Sequence, residues 1–202
     1  MKMSPPPRVN AFSLVELLVV MSLALIFIGL AVPVLGKVVL GSELTRAGQK
    51  MESQLALARQ NAVSTNREIR VMFYELPANS QLRWNAFQVL SVQETADGPK
   101  ITPLGNLERL PAFIAIEPQA VYSPLLTADS ALAETTTLPE FGQVRRAGFR
   151  YRPSGATGAA VTPERNFITL VRQEHLGSSG VPANYYTVQV EPLTGKVRTF
   201  RP

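Results

Sequence analysis

The sequence predicts an α+β protein, with a long N-terminal helix packed on a C-terminal antiparallel β domain. Residues 12–35 are apolar throughout and carry one charge, Glu16. Beyond them Leu40, Leu44, Ala47, Met51, Leu55, Ala58 and Ala62 recur at steps of three and four, the apolar stripe of an amphipathic helix. After residue 66 the pattern changes to short alternating runs broken by Gly and Pro, which is the signature of strands. A helix followed by a run of strands is an α+β arrangement.

Residues 1–11 hold Lys2, Arg8 and three consecutive prolines, Pro5, Pro6 and Pro7. Proline lacks an amide hydrogen and clashes with the preceding turn, so this segment is read as a leader and not as helix. The apolar run then begins at Phe12. Its 24 residues reach ~36 Å as a helix, enough for a hydrocarbon core of ~30 Å. A secretory signal has a shorter apolar region with its small cleavage-site residue after it. Here the small residue, Ala11, comes before the run, so a cut between Ala11 and Phe12 leaves the hydrophobic segment on the mature chain. Glu16 is costly in lipid and calls for a partner. Pro33, with Gly29, Gly36 and Gly41 nearby, predicts a kink.

The helix is expected to run to the Ser64-Thr65-Asn66 cluster, a length of ~80 Å from Phe12. Strands are expected at 67–75, 82–92, 113–116, 148–152, 166–173 and 185–191. A last one, 196–200, closes a hairpin turning at Thr194-Gly195. Trp84 and Phe87 are candidate core aromatics. Residues 117–147, with Pro118, Pro124 and Pro139, read as a long irregular stretch. The division is therefore leader 1–11, transmembrane helix 12–35, amphipathic helix 36–66 and globular β-rich domain 67–202.

The composition narrows the chemistry. With no cysteine, disulfides, thiolate metal sites and Cys nucleophiles are excluded. The one histidine, His175, sits in a loop-like segment without a partner set, and the aspartates are only Asp97 and Asp129. Asp97-Gly98 reads as a turn, since the acidic series of a calcium loop is absent. No glycine-rich phosphate loop precedes a helix. We expect no enzyme, no cofactor and no metal. Charge is uneven: residues 67–144 hold five basic residues against nine acidic, whereas 145–202 hold nine against three. That basic third, including Arg145, Arg146, Arg150, Arg152, Lys196 and Arg198, is a candidate surface for nucleic acid or an acidic partner. The plainer reading is a solvated face of dispersed arginines.

The stretch Ala11-Phe12-Ser13-Leu14-Val15-Glu16-Leu17-Leu18-Val19-Val20 resembles the class III signal of type IV pilins and type II secretion pseudopilins. The basic leader, Phe12 as first mature residue, Glu16 four residues later and the kink proline Pro33 all match. Ala11 departs from the usual glycine but is similarly small. Residues 55–67, and 149–155 with the Thr-Gly-Lys-Val-Arg ending, resemble the minor pseudopilins related to the H component and the FimT pilins. Residues 41–74 and 149–202 more closely resemble the Verru_Chthon cassette protein D family.

The resemblance implies a structural minor pilin or pseudopilin of a type II secretion or type IV pilus-like system. A prepilin peptidase would cut after Ala11 and methylate the Phe12 amine. Glu16 would pair with the Phe12 amine of a neighbouring subunit and set the assembly register. The implied partners are other pilin subunits, the peptidase, an inner-membrane assembly platform and membrane lipid. The implied place is the bacterial inner membrane, crossed once, with the C-terminal domain periplasmic. The alternative is a DNA-binding minor pilin that contributes to DNA uptake through its basic third.

Overall fold

The computed structural model describes residues 13–78, 80–158, 165–178, 180 and 184–202, with the backbone alone over 29–41. A helix, α1 (Leu14–Thr65), opens the chain. The chain forms two compact units, Met1–Leu40 and Gly41–Pro202. In the first, the described side chains of the helix are all exposed, including Leu14, Leu25 and Phe27 at 69–80%. Pro33 lies within the span of α1, and its side chain is outside the described residues.

In the second unit the stripe does the packing. Leu44, Ala47, Met51, Leu55, Ala58 and Ala62 are all buried. Half of these residues are alanines, which brings the helix close to its neighbours. At Gly48 a Cβ would stand 2.3 Å from the Tyr186 ring, so glycine is required there. The helix ends where the polar cluster placed it. Asn66 takes a left-handed φ of 53°, and the Arg67 N–H reaches back to the Ala62 carbonyl at 3.3 Å. This bond, six residues to one, satisfies a carbonyl that the helix end would leave orphaned.

Among the described residues ten strands follow, paired antiparallel in two sheets. They are β1 (Glu68–Ala78), β2 (Gln81–Thr95), β3 (Gly98–Pro103), β4 (Glu108–Arg109), β5 (Ile114–Ile116), β6 (Glu134–Leu138), β7 (Gly142–Tyr151), β8 (Phe167–Arg172), β9 (Tyr185–Val190) and β10 (Val197–Phe200). The first sheet runs β3-β2-β1-β7-β6, with β4 also on β2; the second runs β10-β9-β8-β5. The main core holds the helix stripe together with Val71, Phe73, Phe87, Phe149, Tyr151, Leu170 and Val188. The Phe149 and Tyr151 rings meet edge-on at 5.2 Å. A second, smaller core lies on the other side of β1, where Met72, Tyr74 and Leu76 meet Leu132 and Val144. The terminal hairpin turns as expected. Gly195 has φ +66° and approaches so near that a Cβ would lie 1.9 Å from the Gly155 carbonyl oxygen.

Residues 117–147 correct the sequence reading. They contain short 3-10 turns (Pro124–Thr127 and Ser130–Leu132), then β6 and the first half of β7. The turns bury Leu125, Leu126 and Leu132. Strand β6 escaped notice because Glu-Thr-Thr-Thr-Leu has no apolar alternation. The start of β7 was hidden by Arg145 and Arg146, whose charged heads find the carboxylates of Glu75 and Glu134. The prolines of β3, Pro99 and Pro103, also argue against a strand, and β3 is an edge strand where proline is tolerated.

Tyr151 is fully buried and its hydroxyl has no partner among the described residues. Desolvation pushes its pKa well above the ordinary value, against a weaker opposing pull from Arg59. A folded-state pKa above the unfolded value of about 10 contributes stability at all lower pH and loses it as pH rises past that point. Tyr151→Phe removes the unpaired polar atom and keeps the ring. We expect an unchanged or higher melting temperature at pH 7, and a smaller loss of stability above pH 10, both measured by circular dichroism. Gly48→Ala should lower the melting temperature, since overpacking costs about 1–3 kcal/mol.

Candidate functional site

The helix start has a defined geometry. The Ser13 hydroxyl accepts the Glu16 backbone N–H at 3.2 Å, and the Ser13 carbonyl accepts from Leu17, also at 3.2 Å. Ser13 is therefore the N-cap, and Glu16 is the third residue of the first turn. Ser-x-x-Glu at a helix start is the spacing of a capping box. Ser13 and Glu16 carry that signal in the sequence itself. A carboxylate here also meets the positive end of the helix dipole. Ala11 and Phe12 lie outside the described residues. Among the described residues no helix is long and apolar enough to cross a membrane; the described side chains of the apolar run stop at residue 28.

The basic third is distributed and partly neutralised. Arg145 lies 3.3 Å from Glu75 and covers the Trp84 ring at 5.8 Å. Arg146 binds Glu134. Arg150 reaches Asp129 at 2.6 Å and Glu68 at 3.5 Å. Burial works against the Arg150 charge, and these two carboxylates more than offset it, so its pKa is raised. Three of the six nominated cations thus meet acids within the fold, and Arg152, Lys196 and Arg198 are exposed. Their neighbours in the fold were not foreseeable, because Glu75 and Asp129 are 70 and 21 residues distant from their partners.

Two other polar groups fasten loops. Glu117 is buried and accepts the Gly177 N–H at 3.0 Å and the Gln119 N–H at 3.4 Å. This ties the loop after β8 to the segment after β5. His175 lies 3.3 Å from Glu174 at the end of a 3-10 turn, half-buried, and its carbonyl accepts the Ser178 hydroxyl at 2.7 Å. Among the described residues no group of three or more His, Asp or Glu side chains gathers to hold a metal ion. Asp97 sits in the two-residue turn that joins β2 to β3.

Comparison with known proteins bears on the helix start. Residues 6–32 match the prokaryotic N-terminal methylation motif. The matched span takes in Ser13, Glu16 and the first turns of α1. Among solved structures it is similar to the minor pseudopilin EpsH from the type II secretion system of Vibrio cholerae. One EpsH structure has 14% identity and a TM-score of 0.43, covering 79% of this chain and 98% of that one. Another has 15% identity and a TM-score of 0.45, covering 81% and 96%. No curated protein matches the chain.

Ser13→Ala removes the cap and should cost about 1 kcal/mol of helix stability. Hydrogen exchange of the first-turn amides, measured on the full chain in micelles, should be faster in the variant, with exchange after residue 44 unchanged.

Proposed function

We propose that this chain is a structural subunit of a pilin-like filament, of the minor pseudopilin kind. It is cut between Ala11 and Phe12 by a prepilin peptidase and methylated on the Phe12 amine. Residues 12–35 hold it in the bacterial inner membrane in a single pass, 36–66 continue as amphipathic helix, and 67–202 form a periplasmic domain. Other pilin subunits and an inner-membrane assembly platform are its partners. The observation that carries this reading is the methylation motif over 6–32, which runs into a helix from Leu14 to Thr65 whose later turns carry a sheet domain.

Magnitudes favour a pairing role for Glu16. A carboxylate at the bilayer centre costs about 2.5–3.5 kcal/mol, less toward the interface. The helix dipole returns only about 0.3–1 kcal/mol. Capping therefore explains why a helix starts here, and leaves most of the cost of burying the charge unanswered. The ammonium that cleavage creates at Phe12 of a neighbouring subunit supplies the counter-charge. An unpaired charge in a wrong register keeps its desolvation penalty, so the pair selects one register.

Mass spectrometry of the mature protein from cells with active prepilin peptidase should find a methylated N-terminus at Phe12; any other N-terminus overturns the reading. Glu16→Ala should insert in the membrane as well as the unaltered chain or better, and fail to enter filaments. Glu16→Gln separates the two roles, because glutamine serves equally at the third position of a capping box. Normal filament incorporation of the glutamine variant would show that charge pairing does not set the register.

A further inference from the structure

Among the described residues the outer strands are β3, β6, β5 and β10, with the two-residue β4 beside β3 on β2, and they differ in chemistry. Strand β3 is blunted by Pro99, Lys100 and Pro103, which is how natural sheets discourage a further strand. Strand β5 is buried along its whole length. Strand β10 is four residues long and carries the exposed Arg198, and Arg201 just beyond it bonds the Thr45 hydroxyl of the helix. Strand β6 is the least protected of them, with Glu134 its only charge. Its five residues include no proline and no lysine, and its three threonines favour extended backbone. Among the described residues nothing pairs with its outer side. Every second residue of an edge strand turns an N–H and a C=O outward, ready for another chain.

The side chains around that edge are arranged in rows. Trp84, Glu75, Arg145 and Thr135 are successive cross-strand neighbours on one face. They line a hollow of about 510 Å³, closed at one side by Leu126, Thr127 and Ser130 of the 3-10 turns. On the opposite face Glu134 lies beside Arg146. The two outermost charges are incompletely used: the Arg145 side chain is 69% exposed and that of Glu134 is 51% exposed.

We propose that β6 is a docking edge for an extended segment of a partner protein, added as a further antiparallel strand. Antiparallel addition continues the pattern of the whole sheet. Charge complementarity fixes what the segment carries. The residue opposite Glu134 is basic, since opposite charges directly across a ladder are favourable. The residue opposite Thr135 is acidic. Strands lie about 4.8 Å apart, so Arg145 is about 10 Å away across Thr135, within the joint reach of an arginine and a glutamate. In antiparallel order the partner segment therefore reads β-branched residues followed by an acid and then a base.

Trp84 is the only tryptophan in the chain and the Arg145 guanidinium lies over its ring at 5.8 Å, so drawing Arg145 toward the acid of an added strand changes its emission. The full chain in detergent micelles is titrated with the blocked peptide Val-Thr-Val-Glu-Lys. Companion peptides have the order Lys-Glu, have Ala-Ala in place of the charges, or carry N-methyl groups on alternate amides. The Glu-Lys peptide should shift Trp84 emission saturably, and the Lys-Glu and Ala-Ala peptides should bind several-fold more weakly. The N-methylated peptide should not bind, because strand addition needs its amides. Arg145→Ala should weaken the Glu-Lys peptide to the level of one with alanine in place of its acid. No saturable change with any peptide, equal binding of the N-methylated peptide, or equal or tighter binding of the Lys-Glu peptide overturns the proposal. The peptide series leaves the protein unaltered, so a destabilised variant does not blur the outcome.

Discussion

The second unit depends on one contact surface, the apolar stripe of α1 from Leu44 to Ala62 against the two sheets. Six of its side chains are almost wholly withdrawn from water. Burial of each large one, Leu44, Met51 and Leu55, contributes about 1.5–3 kcal/mol. The sheets gain their common core through this stripe: β1, β2 and β7 supply Val71, Phe87 and Phe149 to it, and β8 and β9 supply Leu170 and Val188. Gly48 against Tyr186 is where the approach is tightest and a side chain is least tolerated. Small residues along the stripe therefore set how near the helix sits, and the large ones fill what remains.

Local chemistry was legible wherever one principle dominated. The stripe at steps of three and four located the buried face of the helix, and the polar run at 64–66 located its end. Ile69, Val71 and Phe73 alternate cleanly, and β1 lies there. The terminal hairpin was readable from Thr194-Gly195, because only glycine accepts both the left-handed backbone and the close approach of Gly155. Elements were missed where tertiary partners replaced apolar residues. At β7 the Arg145 guanidinium over Trp84 and the Arg146 side chain bonded to Tyr74 stand where apolar residues stand elsewhere. The burial of Met72 and Tyr74 was not readable from alternation, since it comes from a second layer that includes Leu132 and Val144.

The candidate sites show the same division. The methylation motif is contiguous, so it stood in the sequence in full. Its capping geometry needed only the Ser13 and Glu16 spacing. The basic third had a net charge but no geography. Folding brings Arg145 to Glu75, Arg146 to Glu134 and Arg150 to Asp129 and Glu68, and so turns half of a supposed cationic surface into internal fastening. The hollow beside Trp84 combines β1, β2, β6, β7 and the 3-10 turns, and no sequence window contains more than a part of it.

The connection at Asn66 has a consequence for the order of assembly. Helix and β1 are joined by two residues, and β1 meets β2 across a turn as short, so this half of the first sheet is made of near neighbours. The other flank of β1 pairs with β7, where Ile69 faces Tyr151 across 82 residues of chain. Near contacts close at little entropic cost, and distant ones wait for the chain that makes them. During N-to-C synthesis the central strand of the sheet is thus an edge strand for as long as residues 145–151 are missing. A truncated or stalled chain ending before β7 would expose Ile69 to Glu75 as an unpaired, apolar border.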